Sequence, residues 1–123
     1  MQTVECDVEA GPAIDLDHLR RFTQGDEPLI REVLHLFAAQ APHYVKELTA
    51  PASDRSWFEA AHALKGCARA IGARTLARHA EMAERLRDGS LPGCRARRAT
   101  VLGEIGLALA QTVEFIDCFT PRA

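Results

Sequence analysis

The residues most able to do chemistry are centred on one histidine, in the string Ala61-His62-Ala63-Leu64-Lys65-Gly66. At 100° per residue, Trp57, Ala60, Ala61, Leu64, Cys67, Ala68 and Ile71 gather into one apolar stripe. His62 then points roughly 150° away from the stripe's centre, toward solvent. Its neighbours within two turns are Arg55, Phe58, Glu59, Lys65, Gly66 and Arg69. A neutral imidazole nitrogen is nucleophilic near pH 7, because its unperturbed pKa is about 6.5. It can take up a phosphoryl group and yield it again, given exposure, a fixed tautomer and nearby cations. Lys65 and Arg69 put positive charge on that face, where they could hold phosphoryl oxygens. Gly66 in a helix interior costs roughly 1 kcal/mol relative to alanine, and a partner approaching the imidazole closely would account for it. Phe58, apolar on the side away from the core, suits a docking surface, with Glu59 beside it.

A second helix can supply the group that orients the ring. Ala73, Leu76, Ala80 and Ala83 form an apolar spacing, and Glu84 falls at the edge of that stripe. A carboxylate there could accept the Nδ1 proton and leave Nε2 free to react. The competing role for Glu84 is a helix-surface ion pair with Arg87 or Arg78. His18, His35, His43 and His79 read as structural or solvated. Only His79, from its place on the fourth helix, is weighed as an approach to the site. No two histidines stand at i, i+4 and no HExxH occurs, so no helical metal site is expected. No nucleotide-binding loop is present either.

The elements that must carry these residues are helical. Asp15 caps a short helix to about Thr23 with Leu16, Leu19 and Phe22 as its apolar spacing, and Gln24 and Gly25 stop it. Asp26 caps the second, with Pro28 in its first turn and Ile30, Val33, Leu34, Phe37, Ala41, Tyr44 and Leu48 in helical period. Pro42 inside that run should kink or divide it. The third spans about residues 54–71, stopped by Gly72. The fourth spans about 73–88, stopped by Gly89. Pro92 opens the fifth, which runs to about Cys118 with Leu102, Ile105, Leu109, Val113 and Ile116 in period. Gly103 and Gly106 there are assigned to close helix packing. The expected fold is all-α, an up-and-down antiparallel four-helix bundle with a short extra N-terminal helix. Residues 14–119 form the domain, with tails at 1–13 and 120–123.

Composition fits this. The chain has 123 residues, enough for one domain, and 47% of them are hydrophobic but only 6% aromatic, so aliphatic side chains and alanine build the core. A net charge of −2 creates no field that would draw nucleic acid or an anionic membrane. Cys6, Cys67, Cys94 and Cys118 are widely spaced with no CxxC pair, and each reads as a small buried hydrophobe or a tail residue. The N-terminus lacks a signal-peptide pattern, and no stretch reaches the ~20 apolar residues that span a bilayer. The expectation is a cytoplasmic protein with free thiols and no membrane partner.

At these residues the sequence resembles the histidine-containing phosphotransfer (HPt) domain family of two-component phosphorelays. The resemblance rests on Ala61-His62-x-Leu64-Lys65-Gly66, then Ile71-Gly72-Ala73, Leu76 and Ala83-Glu84, with Ile14-Asp15, Gly25-Asp26 and Phe37 upstream. It covers nearly the whole chain. It implies His62 as the phosphorylated residue, with Lys65 and Glu84 completing the catalytic set. Gly66, Arg69, Phe58 and Glu59 then face the partner. It implies response-regulator receiver domains as partners, and a hybrid sensor kinase as a further one. No cofactor is implied on this chain, since Mg²⁺ belongs to the receiver. Two positions depart from the family: Cys67 replaces a small hydroxyl residue and Ala83 a leucine. The alternative is a helical adaptor that binds a receiver or kinase without being phosphorylated. A kinase core with its own ATP domain does not fit in this length. A monomer is expected, since the chain can close its own bundle.

Overall fold

The protein is described here by a computed structural model covering residues 13–120. The tail at 1–13 lies outside the described residues except for Ala13, as do Cys6 and residues 121–123. Five helices follow in order: α1 (Leu16–Thr23), α2 (Glu27–Thr49), α3 (Asp54–Ile71), α4 (Arg74–Arg85) and α5 (Cys94–Phe119). No strand occurs among the described residues. α2 packs on α3, α3 on α4, α4 on α5 and α5 on α2, which closes a four-helix ring. α1 lies across α2 and α3. Short connections between consecutive helices make neighbours antiparallel.

The starts of the first three helices follow from their caps. The Asp15 carboxylate accepts the His18 N–H at 3.1 Å, Asp26 that of Leu29 at 3.1 Å, and the Ser53 hydroxyl that of Ser56 at 3.0 Å. Gly72 ends α3 at φ +81°, a left-handed conformation that only glycine adopts without strain. A Cβ at Gly72 would also sit 2.9 Å from the Asp15 carbonyl oxygen. That closeness is needed, because the Asp15 N–H donates to the Gly72 carbonyl at 2.9 Å and Arg74 donates to the Asp15 carboxylate at 2.6 Å. α1 is thereby stapled to the α3–α4 joint.

The buried stripe of each helix meets in one core. α3 contributes Trp57, Ala61, Leu64, Ala68 and Ile71; α4 contributes Leu76, Ala80 and Ala83. The two alanines let α3 and α4 approach closely, and the Trp57 Nε1–H donates to the Ala83 carbonyl at 2.8 Å across them. That bond fixes the register of α4 on α3.

Several expectations are refined or corrected. α2 is not divided at Pro42; Phe37 and Ala41 before it and Leu48 after it lie in the same core, and that packing holds both halves in one helix. α4 ends at Arg85, before the expected 88, because the Leu86 carbonyl accepts from Arg98 Nε at 2.9 Å and the Gly89 N–H turns to Asp54 at 3.1 Å. α5 begins two residues after Pro92, at Cys94. Phe22 is 56% exposed, and Gly103 and Gly106 lie on the outer face of α5 with open space beside them, so none of the three serves close packing. Finally, α5 is by length and composition long and apolar enough to cross a bilayer, with a mean hydropathy of 1.4 over an 18-residue window. In the bundle its residues Val101, Ile105, Ala108, Thr112, Phe115 and Ile116 are buried. Cys94 is buried, Cys67 half-buried, and Cys118 exposed in the last turn of α5, all three free.

Candidate functional site

His62 stands in the middle of α3 on its outer side, with 63% of its side chain exposed. One turn on, Lys65 reaches toward α4. The register set by Trp57 and Ala83 brings the next α4 residue, Glu84, against both. The His62 Nδ1–H donates to Glu84 Oε2, and Lys65 Nζ donates to Glu84 Oε1 at 2.7 Å. The carboxylate thus bridges the histidine and the lysine, using one oxygen for each. The Glu84 and Lys65 side chains are only 13% and 15% exposed, so their bond is sheltered while the imidazole is not.

The electrostatics of Glu84 are a contest. Burial would raise its pKa and is the largest single influence. The hydrogen bonds from Lys65 and His62, with their charges, together outweigh it and hold the carboxyl below its ordinary value. Glu84 is therefore an anion at neutral pH. An anion accepting at Nδ1 fixes the proton there and leaves the Nε2 lone pair outward. The alternative pairing of Glu84 with Arg87 or Arg78 does not occur; α4 stops before Arg87.

The remaining candidates divide. Gly66 is exposed, and a Cβ built on it meets nothing within 4 Å. Nothing among the described residues calls for a glycine there. Phe58 is half-buried and stacks on the His62 ring, with centroids 5.7 Å apart and planes 18° from parallel. Arg69 turns away from His62 and makes a long contact with Glu81 at 3.4 Å. Glu59 pairs with Arg55 at 2.9 Å within its own helix. His79 points to α5, 3.5 Å from Glu104, and takes no place beside His62. His35 approaches the Thr120 carbonyl at 3.3 Å and His43 approaches Glu47, leaving neither near the site. No cluster of three or more His, Cys, Asp or Glu that could hold a metal ion occurs among the described residues.

Sequence reasoning missed one residue beside the site. Arg87 places its guanidinium over the Phe58 ring, 3.9 Å from the centroid. A helix continued to 88 would have carried Arg87 elsewhere, so the early end of α4 had to be known first. Phe58 itself was legible, since i and i+4 share a helix face.

Arranged in this way, the side chains offer an exposed ring nitrogen with a fixed tautomer, a lysine one turn away and an unobstructed helix surface next to it. The sequence matches the protein-family profile described as the Hpt domain over residues 32–114, well over half of the chain and all of the site. Searches of curated proteins and of solved structures find no match.

Proposed function

The chain belongs to the Hpt domain family, and from that premise we propose that it is a phosphorelay intermediate in which His62 accepts a phosphoryl group from a receiver-domain aspartate and passes it to another receiver. A phosphotransfer role in two-component signalling comes with the family. Assigning it to His62 rests chiefly on one observation: an imidazole 63% exposed whose Nδ1–H is held by a carboxylate.

The chemistry follows from that geometry. The Nε2–P bond forms as the acyl-phosphate O–P bond breaks, and the receiver's aspartate leaves as a carboxylate. The Nδ1 proton does not move. The ring becomes a phosphoimidazolium cation, and the Glu84 anion stabilises it through the existing hydrogen bond. Lys65, one turn from His62, is near enough to shift from Glu84 to the phosphoryl oxygens. Mg²⁺ and most of the transition-state charge stabilisation belong to the receiver's side of the encounter. The open surface at Gly66 admits a second protein close to Nε2. A phosphocarrier of this kind needs no nucleotide site.

The test is transfer of label from a receiver phosphorylated by a small-molecule donor. Acid-labile, base-stable label should appear on the wild type and be missing from His62→Gln. If several receivers bind both proteins and neither takes up label, the chain is a non-phosphorylated adaptor.

A further inference from the structure

The connection after α4 is tied back onto the start of α3. Asp54, the first residue of α3, accepts the Gly89 N–H at 3.1 Å through one oxygen and Arg98 Nη2 at 3.1 Å through the other. Arg98 also donates to the Leu86 carbonyl at 2.9 Å and lies over the Trp57 ring, 4.5 Å from its centroid. A Cβ at Gly89 would fall 2.8 Å from the Asp54 carboxylate. A larger residue there would push the Asp54 carboxylate aside. Bonded at both 86 and 89, the segment carries Arg87 to the outer face of α3, where its guanidinium covers Phe58. Phe58 in turn stacks on His62.

We propose that Phe58 and Arg87 are positioning residues for the His62 imidazole, Phe58 directly and Arg87 through Phe58. The proposal rests on His62 being the phosphoryl acceptor. Glu84 holds the ring at one atom, Nδ1, and a single hydrogen bond leaves the ring plane free to swing about it. With the ring 63% exposed, no core side chain can stop that motion. The Phe58 face is the second constraint, and it restricts the plane itself. The two contacts together confine Nε2. Confinement matters because the reacting atom must meet an acyl phosphate in line, and a misplacement of about 1 Å can cost about 100-fold in rate. A phenyl ring on a solvent-facing helix side could itself swing away. The guanidinium over it opposes that, since cation–π contacts are attractive even where exposed.

Phosphoramidate is the probe, because it removes protein docking from the measurement. Its P–N bond breaks and ammonia leaves as the Nε2–P bond forms. Phe58→Leu should label about threefold to tenfold more slowly than wild type. Arg87→Met should label about twofold to threefold more slowly. Phe58→Tyr, which keeps the ring, should stay within about twofold. The second readout is NMR of the His62 ring protons. Arg87→Met keeps the Phe58 residue but frees its ring to swing, so the ring-current shift of His62 should shrink toward that of Phe58→Leu. Unfolding midpoints are measured alongside. If both variants label at the wild-type rate and Arg87→Met leaves the His62 resonances unmoved, the proposal fails. If they lose receiver binding alone, Phe58 and Arg87 are docking residues and the proposal equally fails. A wild type that takes no label from phosphoramidate or from any receiver overturns the phosphocarrier reading instead.

Discussion

Replacing Glu84 with alanine separates the two duties of this carboxylate. The first is structural: Glu84 Oε1 accepts from Lys65 at 2.7 Å, with both side chains largely enclosed. Hydrogen bonds to charged groups are worth about 1.5–3 kcal/mol each. Lys65 can turn its long side chain to solvent once the partner is gone, and removing the carboxylate also removes its burial penalty. The loss of stability should therefore lie near the low end, about 1–2 kcal/mol. The second duty is the tautomer. The same class of bond holds the Nδ1 proton, and about 1.4 kcal/mol is a factor of ten. With His62 mostly exposed, the low end again applies, so the fraction carrying its proton on Nδ1 should fall up to about tenfold relative to the other tautomer. Phosphoryl uptake should slow by about the same factor. Long-range ¹H–¹⁵N correlation spectra report the tautomer, label transfer the rate, and urea unfolding the stability. Glu84→Gln keeps an acceptor at Nδ1 without the charge and should fall between wild type and alanine in rate. An alanine variant with an unchanged tautomer and the wild-type rate would refute the reasoning, whatever its stability.

Three further outcomes follow from the geometry. Gly66→Gln should leave the bundle as stable as wild type or up to about 1 kcal/mol more stable, since the helix gains propensity and a Cβ meets no neighbour. Receiver-dependent transfer should nevertheless drop severalfold, and a variant that transfers normally would show that no partner needs the space. Gly72→Ala should destabilise by at least about 1 kcal/mol, because it forces a left-handed φ on alanine and sets a Cβ 2.9 Å from the Asp15 carbonyl; a thermal midpoint equal to wild type would contradict this. Acid should weaken the fold in a defined window. Asp15 is held below its ordinary pKa first by the His18 N–H and then by Arg74, and Glu84 is held low by Lys65 and His62 despite its burial. Both bind a proton more weakly folded than unfolded, so their contribution is complete above the unfolded carboxylate range of about 4 and is lost as pH falls through the lower folded values. Asp15→Asn keeps a helix cap and should flatten part of that loss as pH falls below about 4. An identical pH dependence of the urea midpoint would remove Asp15 from the account.

The fold was legible because alternating helical stripes and strong cap residues agree with one another. Asp15, Asp26 and Gly72 act where their residue types say they should. The exposed position of His62 followed from angle alone, given the stripe through Trp57, Leu64 and Ala68. What the sequence could not place was anything set by contacts between helices. Leu86 and Gly89 leave the helical ladder because Arg98 and Asp54, far away in sequence, offer their backbone groups other partners. Arg87 moves with them. Gly103 and Gly106 look like packing residues by type, but the register of α5 turns them outward. Glu84 could be nominated at a stripe edge, yet its reach to both His62 and Lys65 depends on the close approach of α4 that Ala80 and Ala83 permit.

Ile14 and the first helix lie outside the stretch that matches the family profile, yet Ile14 and Leu19, both 0% exposed, belong to the common interior. A fragment cut at residue 32 would keep every side chain around His62 and still lose the Asp15 bonds to Gly72 and Arg74 at the α3–α4 corner. Sequence boundaries drawn from the pattern are therefore too narrow for making this domain on its own. The smallest self-sufficient piece has to reach back past Ile14, and its stability will depend on those few residues more than on any beside His62.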